Sequence, residues 1–320
     1  MKLKEIFDVF IREGINTDPR GIDIVKTDLL RRKEKYNANT SKDKKYYDLE
    51  NFLNPYYDSR IIYGDINTEV TTIMVGIDIE TPEFLLAKYL INSGIKIDLI
   101  VSHHPEGYAY STFYNVIGMQ IDILNKQGIP INIAEKIINN KINKVQRNII
   151  SQNTERVCDA AKLLNIPFMT AHTVADNHVT YFLQKKINEL NPVYLKDILN
   201  LLSEYPEYQH GVKIGQSPFI LNGHDYSKCG KVFVDMTGGT ECPIESFKWF
   251  ESAGIGTILT MYLSKESIKE AQKHHLNIIV AGHISSDNFG LNLLFDKLQN
   301  RQSIDEFKFI ECSGFKRFKR

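Results

Sequence analysis

Residues 73–105 read IMVGIDIETPEFLLAKYLINSGIKIDLIVSHHP, and this segment decides the fold class. Its first apolar run, within residues 71–79, and its second, within residues 97–104, each predict a buried β-strand. The stretch between them predicts a helix with Thr81 as its N-cap and Pro82 at its first helical position. Strand, helix and strand in this order are typical of α/β proteins with parallel strands.

Similar apolar runs recur towards the C-terminus. They predict further strands within residues 166–172, 231–239, 257–263 and 277–283. Two of these, 231–239 and 257–263, flank a short helical pattern, so they repeat the strand–helix–strand order of the first segment. We therefore predict an α/β fold built from two related lobes, residues 61–184 and residues 185–320.

Residues 1–60 differ in composition from the rest of the chain, because they are charged and rich in Tyr, Asn and Lys. They predict an N-terminal helical extension, in which residues 30–58 form polar helix and loop outside the core. Their first ten residues, MKLKEIFDVF, alternate charged and apolar groups as an amphipathic helix does. That stretch lacks the apolar region and the cleavage site of a signal peptide.

The composition excludes several classes of protein. Hydrophobic residues make up 42% of the chain and charged residues 24%, which is ordinary for a globular protein. Lys+Arg and Asp+Glu both number 39, so no basic excess indicates nucleic-acid binding. The apolar runs are far shorter than the ~20 residues that span a bilayer. The four cysteines form no CxxC pair, so we expect neither a cysteine zinc site nor a disulfide framework. We also expect a cytoplasmic location.

Histidines stand at the ends of three predicted strands, where ligands bind in open α/β sheets. These residues are His103, His104, His172 and His283. Two of the three strand ends carry a carboxylate four residues further on, Asp176 and Asp287. If a helix begins after the strand, positions i and i+4 share one face and can reach one centre. Imidazole and carboxylate together suit divalent zinc, manganese, iron, cobalt or nickel.

The adjacent pair His103 and His104 is followed by Pro105. Proline disfavours a helical conformation in the residue before it, and adjacent extended residues point in opposite directions. Each imidazole therefore binds a different ion of a pair, or one binds metal while the other packs. For His172 three roles stay open: a metal ligand, a residue that orients a ligand, or a core histidine.

These elements resemble the NIF-three-like family of dinuclear metal-centre proteins, whose members are often labelled GTP cyclohydrolase 1 type 2. The similar segments are residues 73–105, AHTVAD at 171–176 and AGHISSDN at 281–288, in the family's order. The resemblance extends over residues 61–320. It implies two α/β lobes with two divalent metal ions between them, and a ring-shaped homohexamer.

The resemblance also implies a set of metal ligands, with Asp176 as the bridging carboxylate. The set is His103, His104, Asp176, His283 and Asp287. Asp287 stands where the family has glutamate, so its carboxylate lies one methylene closer to its own backbone. We expect it to bind metal directly, because the spacing from His283 to Asp287 repeats the spacing from His172 to Asp176.

Two functions fit this pattern. The first is a metal-dependent hydrolase, cyclohydrolase-like or phosphoesterase-like, since two divalent ions can activate a water and hold a small-molecule substrate. Glu106 directly follows the HHP turn and is the candidate catalytic proton shuttle, although the residue types favour a solvated loop glutamate over that role. The second is a non-enzymatic metal-binding protein with a regulatory or scaffold role.

Overall fold

The computed structural model describes residues 1–301 and 306–320. Its strands are β1 Ile61–Tyr63, β2 Thr72–Gly76, β3 Leu99–Ser102, β4 Phe168–Thr170, β5 Phe219–Asn222, β6 Lys231–Asp235, β7 Ile255–Thr260, β8 Asn277–Val280 and β9 Lys308–Glu311. Its helices are α1 Leu3–Asn16, α2 Ile22–Ala38, α3 Ser41–Lys44, α4 Thr81–Asn92, α5 Gly107–Ser111, α6 Gln120–Lys126, α7 Ile131–Ile149, α8 Arg156–Leu164, α9 Thr173–Leu190, α10 Leu195–Ser203, α11 Pro206–Lys213, α12 Phe247–Ser252, α13 Lys265–Lys273 and α14 His283–Gln299. Among these helices, none combines the length and the apolar character that crossing a membrane requires.

The first sheet has the strand order β1-β4-β3-β2-β9. Its central strands are parallel, and β1 pairs antiparallel with β4 at one edge. Every residue of β2, β3 and β4 is buried, as expected for parallel strands that are covered by helices on both faces. The predicted α/β class is confirmed.

The second sheet has the order β5-β8-β7-β6, again with one antiparallel edge strand, β5. In it β6, α12 and β7 form a parallel unit that repeats the arrangement of β2, α4 and β3. The predicted internal repeat of strand–helix–strand units is therefore present in the fold.

The chain does not divide between the sheets at one point. The predicted boundary between residues 184 and 185 lies inside α9, and β9 at the C-terminal end pairs with β2 of the first sheet. The sequence placed residues 306–320 with the second lobe, because nothing local to a short strand specifies a partner more than two hundred residues away.

Helices α9 and α14 pack against each other between the sheets. Gly290 permits this close contact, because a Cβ atom there would lie 2.4 Å from the carbonyl oxygen of Ala175. Both helices begin directly after a strand, α9 after β4 and α14 after β8. The N-terminal half of α14 therefore lies against the first turn of α9.

The N-terminal helix α1 belongs to the core, which agrees with its amphipathic sequence. Leu3, Ile6 and Phe10 are buried, and α1 packs against α9 and α14. The spacing of these residues gives one apolar helix face. This face corresponds to the amphipathic pattern of MKLKEIFDVF in the sequence. The prediction that residues 30–58 lie outside the core was wrong at its end, because Tyr56 and Asp58 are fully buried.

A smaller correction concerns the start of α4. Its N-cap is Glu80, not Thr81, which is already helical. The backbone N–H of Glu80 donates to the carboxylate of Glu83, and the side chain of Glu80 accepts from the backbone N–H of Glu83. These two hydrogen bonds form a capping box, which starts the helix one residue earlier than predicted.

Candidate metal centre

The histidines of the first sheet lie at the shared edge where its parallel strands end. Ser102 of β3 pairs in register with Gly76 of β2 and Thr170 of β4. His103 and His172 follow these strand ends almost directly, so the parallel register brings them together. Their ring centroids lie 4.9 Å apart.

The two carboxylates lie near the N-terminal ends of the paired helices. His172 is the N-cap of α9, and Asp176 lies in its first turn. His283 is the first residue of α14, and Asp287 follows four residues later. The Nε2 atom of each histidine faces the carboxylate on its own helix, at 3.7 Å in α9 and 3.5 Å in α14. The predicted i, i+4 arrangement of both pairs is confirmed.

Asp287 is the residue on which the groups from the two sheets converge. Its Oδ1 lies 3.4 Å from Nε2 of His103, and its Oδ2 lies 3.6 Å from Nε2 of His104. Asp176 makes a similar approach, with Oδ1 also 3.4 Å from Nε2 of His103. Two donor atoms that each lie about 2.1 Å from one ion at a tetrahedral angle are about 3.4 Å apart. The spacing therefore suits shared metal ligands better than direct hydrogen bonds, which are about 0.5 Å shorter.

Three of the four imidazoles are held by an acceptor at the opposite ring nitrogen. Nδ1 of His103 lies 3.2 Å from the carbonyl oxygen of Ala171. Nδ1 of His172 lies 2.8 Å from Oδ2 of Asp58. These acceptors favour a proton on Nδ1, which leaves the Nε2 lone pair directed at the centre.

His104 follows the same pattern on the exposed side of the centre. Its Nδ1 lies 2.6 Å from Oδ1 of Asp78, which follows β2. The side chains of His104 and His283 are 26% and 38% exposed, whereas those of His103 and Asp287 are fully buried. The centre is therefore open to solvent on the side of His104 and His283.

Several buried polar atoms at the centre have no hydrogen-bond partner among the described residues. They are Nε2 of His103, Oδ1 of Asp176 and both carboxylate oxygens of Asp287. Such orphaned atoms are rare, because an unsatisfied buried polar group costs about 1–3 kcal/mol, and more when it is charged. A divalent cation bound by these atoms would satisfy all of them.

The electrostatics of the site point the same way. Burial alone lowers the pKa of His103, but the carboxylates of Asp287 and Asp176 raise it well above its ordinary value. Burial alone raises the pKa of Asp287, but the imidazoles, His103 foremost, lower it to about 2. The centre thus keeps a negative charge at neutral pH and stabilises positive charge, whether that charge is a proton or a metal ion.

Beside these residues lies a small cleft of about 40 Å³. The metal-site candidates that line it are His172, Asp176, His283 and Asp287. Asp235, Thr237 and Tyr262 from the ends of β6 and β7 complete its wall. The ring of Tyr262 lies 5.0 Å from that of His283.

Comparison with solved structures agrees with this architecture. A NIF3 superfamily protein from Sphaerobacter thermophilus is similar with a TM-score of 0.69 and 24% identity, over 81% of this chain and 91% of that chain. The chain has the NIF3 fold. Reduced HcgD from Methanocaldococcus jannaschii matches at a TM-score of 0.48 and 16% identity, over 78% of this chain and 87% of that one. The protein TTHA1606 from Thermus thermophilus matches at 0.45 and 15%, over 80% and 89%.

No protein-family model matches the sequence, and no curated protein matches it either. The similarity to the solved NIF3 structure confirms the resemblance seen in the sequence at the level of the fold, with two α/β lobes and the candidate site between them. In this NIF3 fold the six predicted positions converge as three overlapping groups. They are His103 with His104 and His172, His104 with His283 and Asp287, and His103 with Asp176 and Asp287.

Two residues that hold candidate ligands were missed in the sequence: Asp58, which holds His172, and Asp78, which holds His104. Asp78 could have been found, because it lies near the end of the strand predicted within residues 71–79, and ligands bind beyond the carboxyl ends of parallel strands. Asp58 precedes the short strand β1 in a segment that was assigned to the polar extension, and no spacing relates it to His172. The predicted catalytic residue Glu106 does not line the described cleft.

Proposed function

We propose that the protein binds two divalent transition-metal ions and uses them as a metal-dependent hydrolase. One observation carries the proposal: imidazole Nε2 atoms and two buried carboxylates converge, and several of those atoms lack any other partner among the described residues. Nitrogen and oxygen ligands in this combination suit zinc, iron, manganese, cobalt or nickel.

The distances support one division of the ligands. Donor atoms of His104, His283 and Asp287 lie within 4.8 Å of one another, as do those of His103, Asp176 and Asp287. Asp287 belongs to both groups, so we propose it as the carboxylate that the two ions share. The resemblance implied Asp176 in that role. Asp176 instead serves the buried ion, together with His103.

His172 completes the ligand set of the buried ion in this proposal. Its Nδ1 is held by Asp58 in the way that Nδ1 of His104 is held by Asp78, and its Nε2 faces Asp176. A core histidine would have no need of a buried carboxylate that fixes its tautomer. Of the three roles left open by the sequence, direct ligation fits this geometry best.

A pair of divalent ions would supply a Lewis acid for a substrate oxygen and lower the pKa of water. The protein's own groups would then position the substrate and move protons. Tyr262 is a hydrogen-bond donor at the wall of the cleft, since burial raises the pKa of its hydroxyl to about 12. Glu106 stays the candidate proton shuttle because of its position directly after the HHP turn, although it does not line the cleft. Burial raises the pKa of its carboxyl to about 7.

One observation favours the alternative, a non-enzymatic metal-binding protein with a regulatory or scaffold role. The cleft at the centre has a volume of only about 40 Å³. Since a bound water occupies about 10–15 Å³ on this measure, the cleft holds a few waters and no whole substrate. A hydrolase would have to bind most of its substrate outside this cleft.

Turnover decides between the two functions. Protein loaded with zinc, manganese or iron is assayed on nucleotides including GTP, on phosphoesters and on cyclic amides, with Asp287→Asn as the matched inactive control. Hydrolysis by wild type that is lost in the variant supports the hydrolase. A blank on every class, with metal bound in stoichiometric amounts, supports the alternative.

We also propose that the chain assembles as a homohexamer, as the sequence resemblance implies. Multi-angle light scattering at micromolar concentration is the test. The expected mass is six times the 36.8 kDa of one chain. A mass near that of one chain would reject the proposal.

A further inference from the structure

A cavity of about 500 Å³ lies beside the metal centre, between α6, α9 and β6. Apolar side chains form much of its lining, among them Ile123, Leu124, Phe233 and Met236. Its volume lies within the range of small-molecule sites, which are mostly apolar with a few polar groups that fix the ligand's orientation. It therefore offers the room that the metal cleft lacks.

The cavity adjoins the metal centre along two elements. Residues 235–237, at the end of β6, line both the cavity and the cleft. On α9 the candidate ligand Asp176 is followed at helical spacing by Thr180 and Gln184, which line the cavity. Because four residues of helix advance about 6 Å, Thr180 lies about 6 Å along α9 from Asp176. A molecule with one or two rings spans that distance.

Two buried polar atoms of the cavity lining have no hydrogen-bond partner in the described chain: Oε1 of Gln120 and Oγ1 of Thr180. These residues are only 3% and 5% exposed. The amide nitrogen of Gln120 donates to the carbonyls of Gly238 and Thr240, which leaves Oε1 as a pure acceptor. The hydroxyl of Thr180 is free to donate. Both atoms are covered by their neighbours in this conformation, and rotation of the two side chains would present one acceptor and one donor to a ligand in the cavity.

The charges around the cavity disfavour an ionic ligand. Nζ of Lys126 donates to the carbonyl of Pro19, and Nζ of Lys185 lies 3.9 Å from the carboxylate of Glu189. The remaining charged group of the lining is the acidic Asp235, at the boundary with the cleft. An anion such as a phosphate would meet a carboxylate at the boundary with the cleft, and both lysines of the described lining already bind other groups.

We propose that this cavity binds the uncharged ring of a small-molecule substrate, a cyclic amide whose N–H donates to Gln120 and whose carbonyl accepts from Thr180. The bond to be hydrolysed then lies at the end of the molecule that faces residues 235–237 and the metals. That the bound molecule is a substrate rests on the proposed hydrolase function. The binding itself is independent of it.

The test measures binding of 2-quinolinone, an uncharged bicyclic amide, by isothermal titration calorimetry on metal-free and on metal-loaded full-length protein. Quinoline, which lacks the amide N–H and carbonyl, is the matched ligand control. Thr180→Val removes the hydroxyl with little change of shape, Thr180→Ser retains it, and Tyr181→Phe removes a hydroxyl at the exposed rim of the cavity.

We expect saturable binding of 2-quinolinone that Thr180→Val weakens about tenfold, while Thr180→Ser and Tyr181→Phe leave it within about threefold. Binding of quinoline is weaker and unaffected by Thr180→Val. Absence of binding to fully metal-loaded wild type, or equal binding in Thr180→Val, would overturn the proposal. Should Thr180→Val not fold, quinoline that binds wild type as tightly as 2-quinolinone would overturn it.

The same titrations separate this proposal from the proposed function. A protein that takes up no metal yet binds 2-quinolinone would contradict the metal-dependent hydrolase and support the cavity as a binding site. A protein that is fully loaded with metal and does not bind 2-quinolinone would contradict the cavity as a binding site and support the metal centre.

Discussion

The Nε2 atom of His103 lies 3.4 Å from Oδ1 of Asp287, and both side chains are fully buried. His103 follows β3 of the first sheet, whereas Asp287 belongs to α14, which follows β8 of the second. Neither atom has a hydrogen-bond partner among the described residues. This one contact joins the two lobes through groups that are stable together only with a proton or a metal ion between them.

The first prediction separates the two carboxylates. Asp287→Asn is expected to lose both ions, because its oxygens face ligands of both groups, whereas Asp176→Asn should lose the buried ion and keep the one at His104 and His283. Loss of an ion means that its affinity falls by more than about 100-fold, since mutation of residues that only orient ligands already lowers metal affinity about 10–100-fold. Elemental analysis after dialysis counts the ions. One ion left in Asp287→Asn and none in Asp176→Asn would restore Asp176 as the shared carboxylate.

The second prediction concerns the carboxylate that orients His172. Asp58→Ala should weaken metal binding about 10–100-fold, because His172 loses the acceptor that holds its Nδ1. Thr173→Val is the control, since it removes the other strong hydrogen bond of Asp58, 2.6 Å from the Thr173 hydroxyl, and leaves His172 in place. Competition with a chromophoric chelator measures both. An unchanged affinity in Asp58→Ala would show that His172 is not a ligand.

The third prediction is a pH dependence. The folded pKa of His103 is raised, so its proton stabilises the metal-free protein below the unfolded pKa of about 6.5. That stabilisation is lost as the pH rises through the folded value, and metal binding needs the same nitrogen without its proton. The increase in Tm on adding metal should therefore be larger at pH 8 than at pH 6. A metal-induced shift in Tm that is independent of pH would contradict proton competition at His103.

The fourth prediction tests the helix pair that carries the carboxylates. Gly290→Ala would place a Cβ 2.4 Å from the carbonyl oxygen of Ala175, so α9 and α14 must separate. We expect a loss of about 1–3 kcal/mol in stability, as for other overpacked sites, together with weaker metal binding. Gly118→Ala is the control, because nothing lies within 4 Å of the added Cβ in the described chain. Chemical denaturation compares the variants, and equal stabilities would contradict the close packing.

The parts of the site that the sequence predicted are those that local patterns specify. A buried strand ending in histidine, with a carboxylate four residues later, fixes both the edge of the sheet and the face of the helix that follows. His172 with Asp176 and His283 with Asp287 are such pairs, and both occur in the structure as predicted.

The parts that could not be predicted depend on contacts between distant segments. Asp58 reaches His172 only because β1 pairs antiparallel with β4, and nothing within either segment specifies that pairing. The return of β9 to the first sheet is a similar case. The choice between Asp176 and Asp287 as the shared carboxylate depends on how the two lobes approach each other, which no spacing within the sequence encodes.

The most direct measurement of the central claim is the number of metal ions per chain. Metal-free protein is reconstituted separately with zinc, manganese and iron, dialysed, and analysed by inductively coupled plasma mass spectrometry against an exact protein concentration. The two ligand groups that share Asp287 predict close to two ions per chain for at least one metal. No more than trace metal with all three would contradict the account.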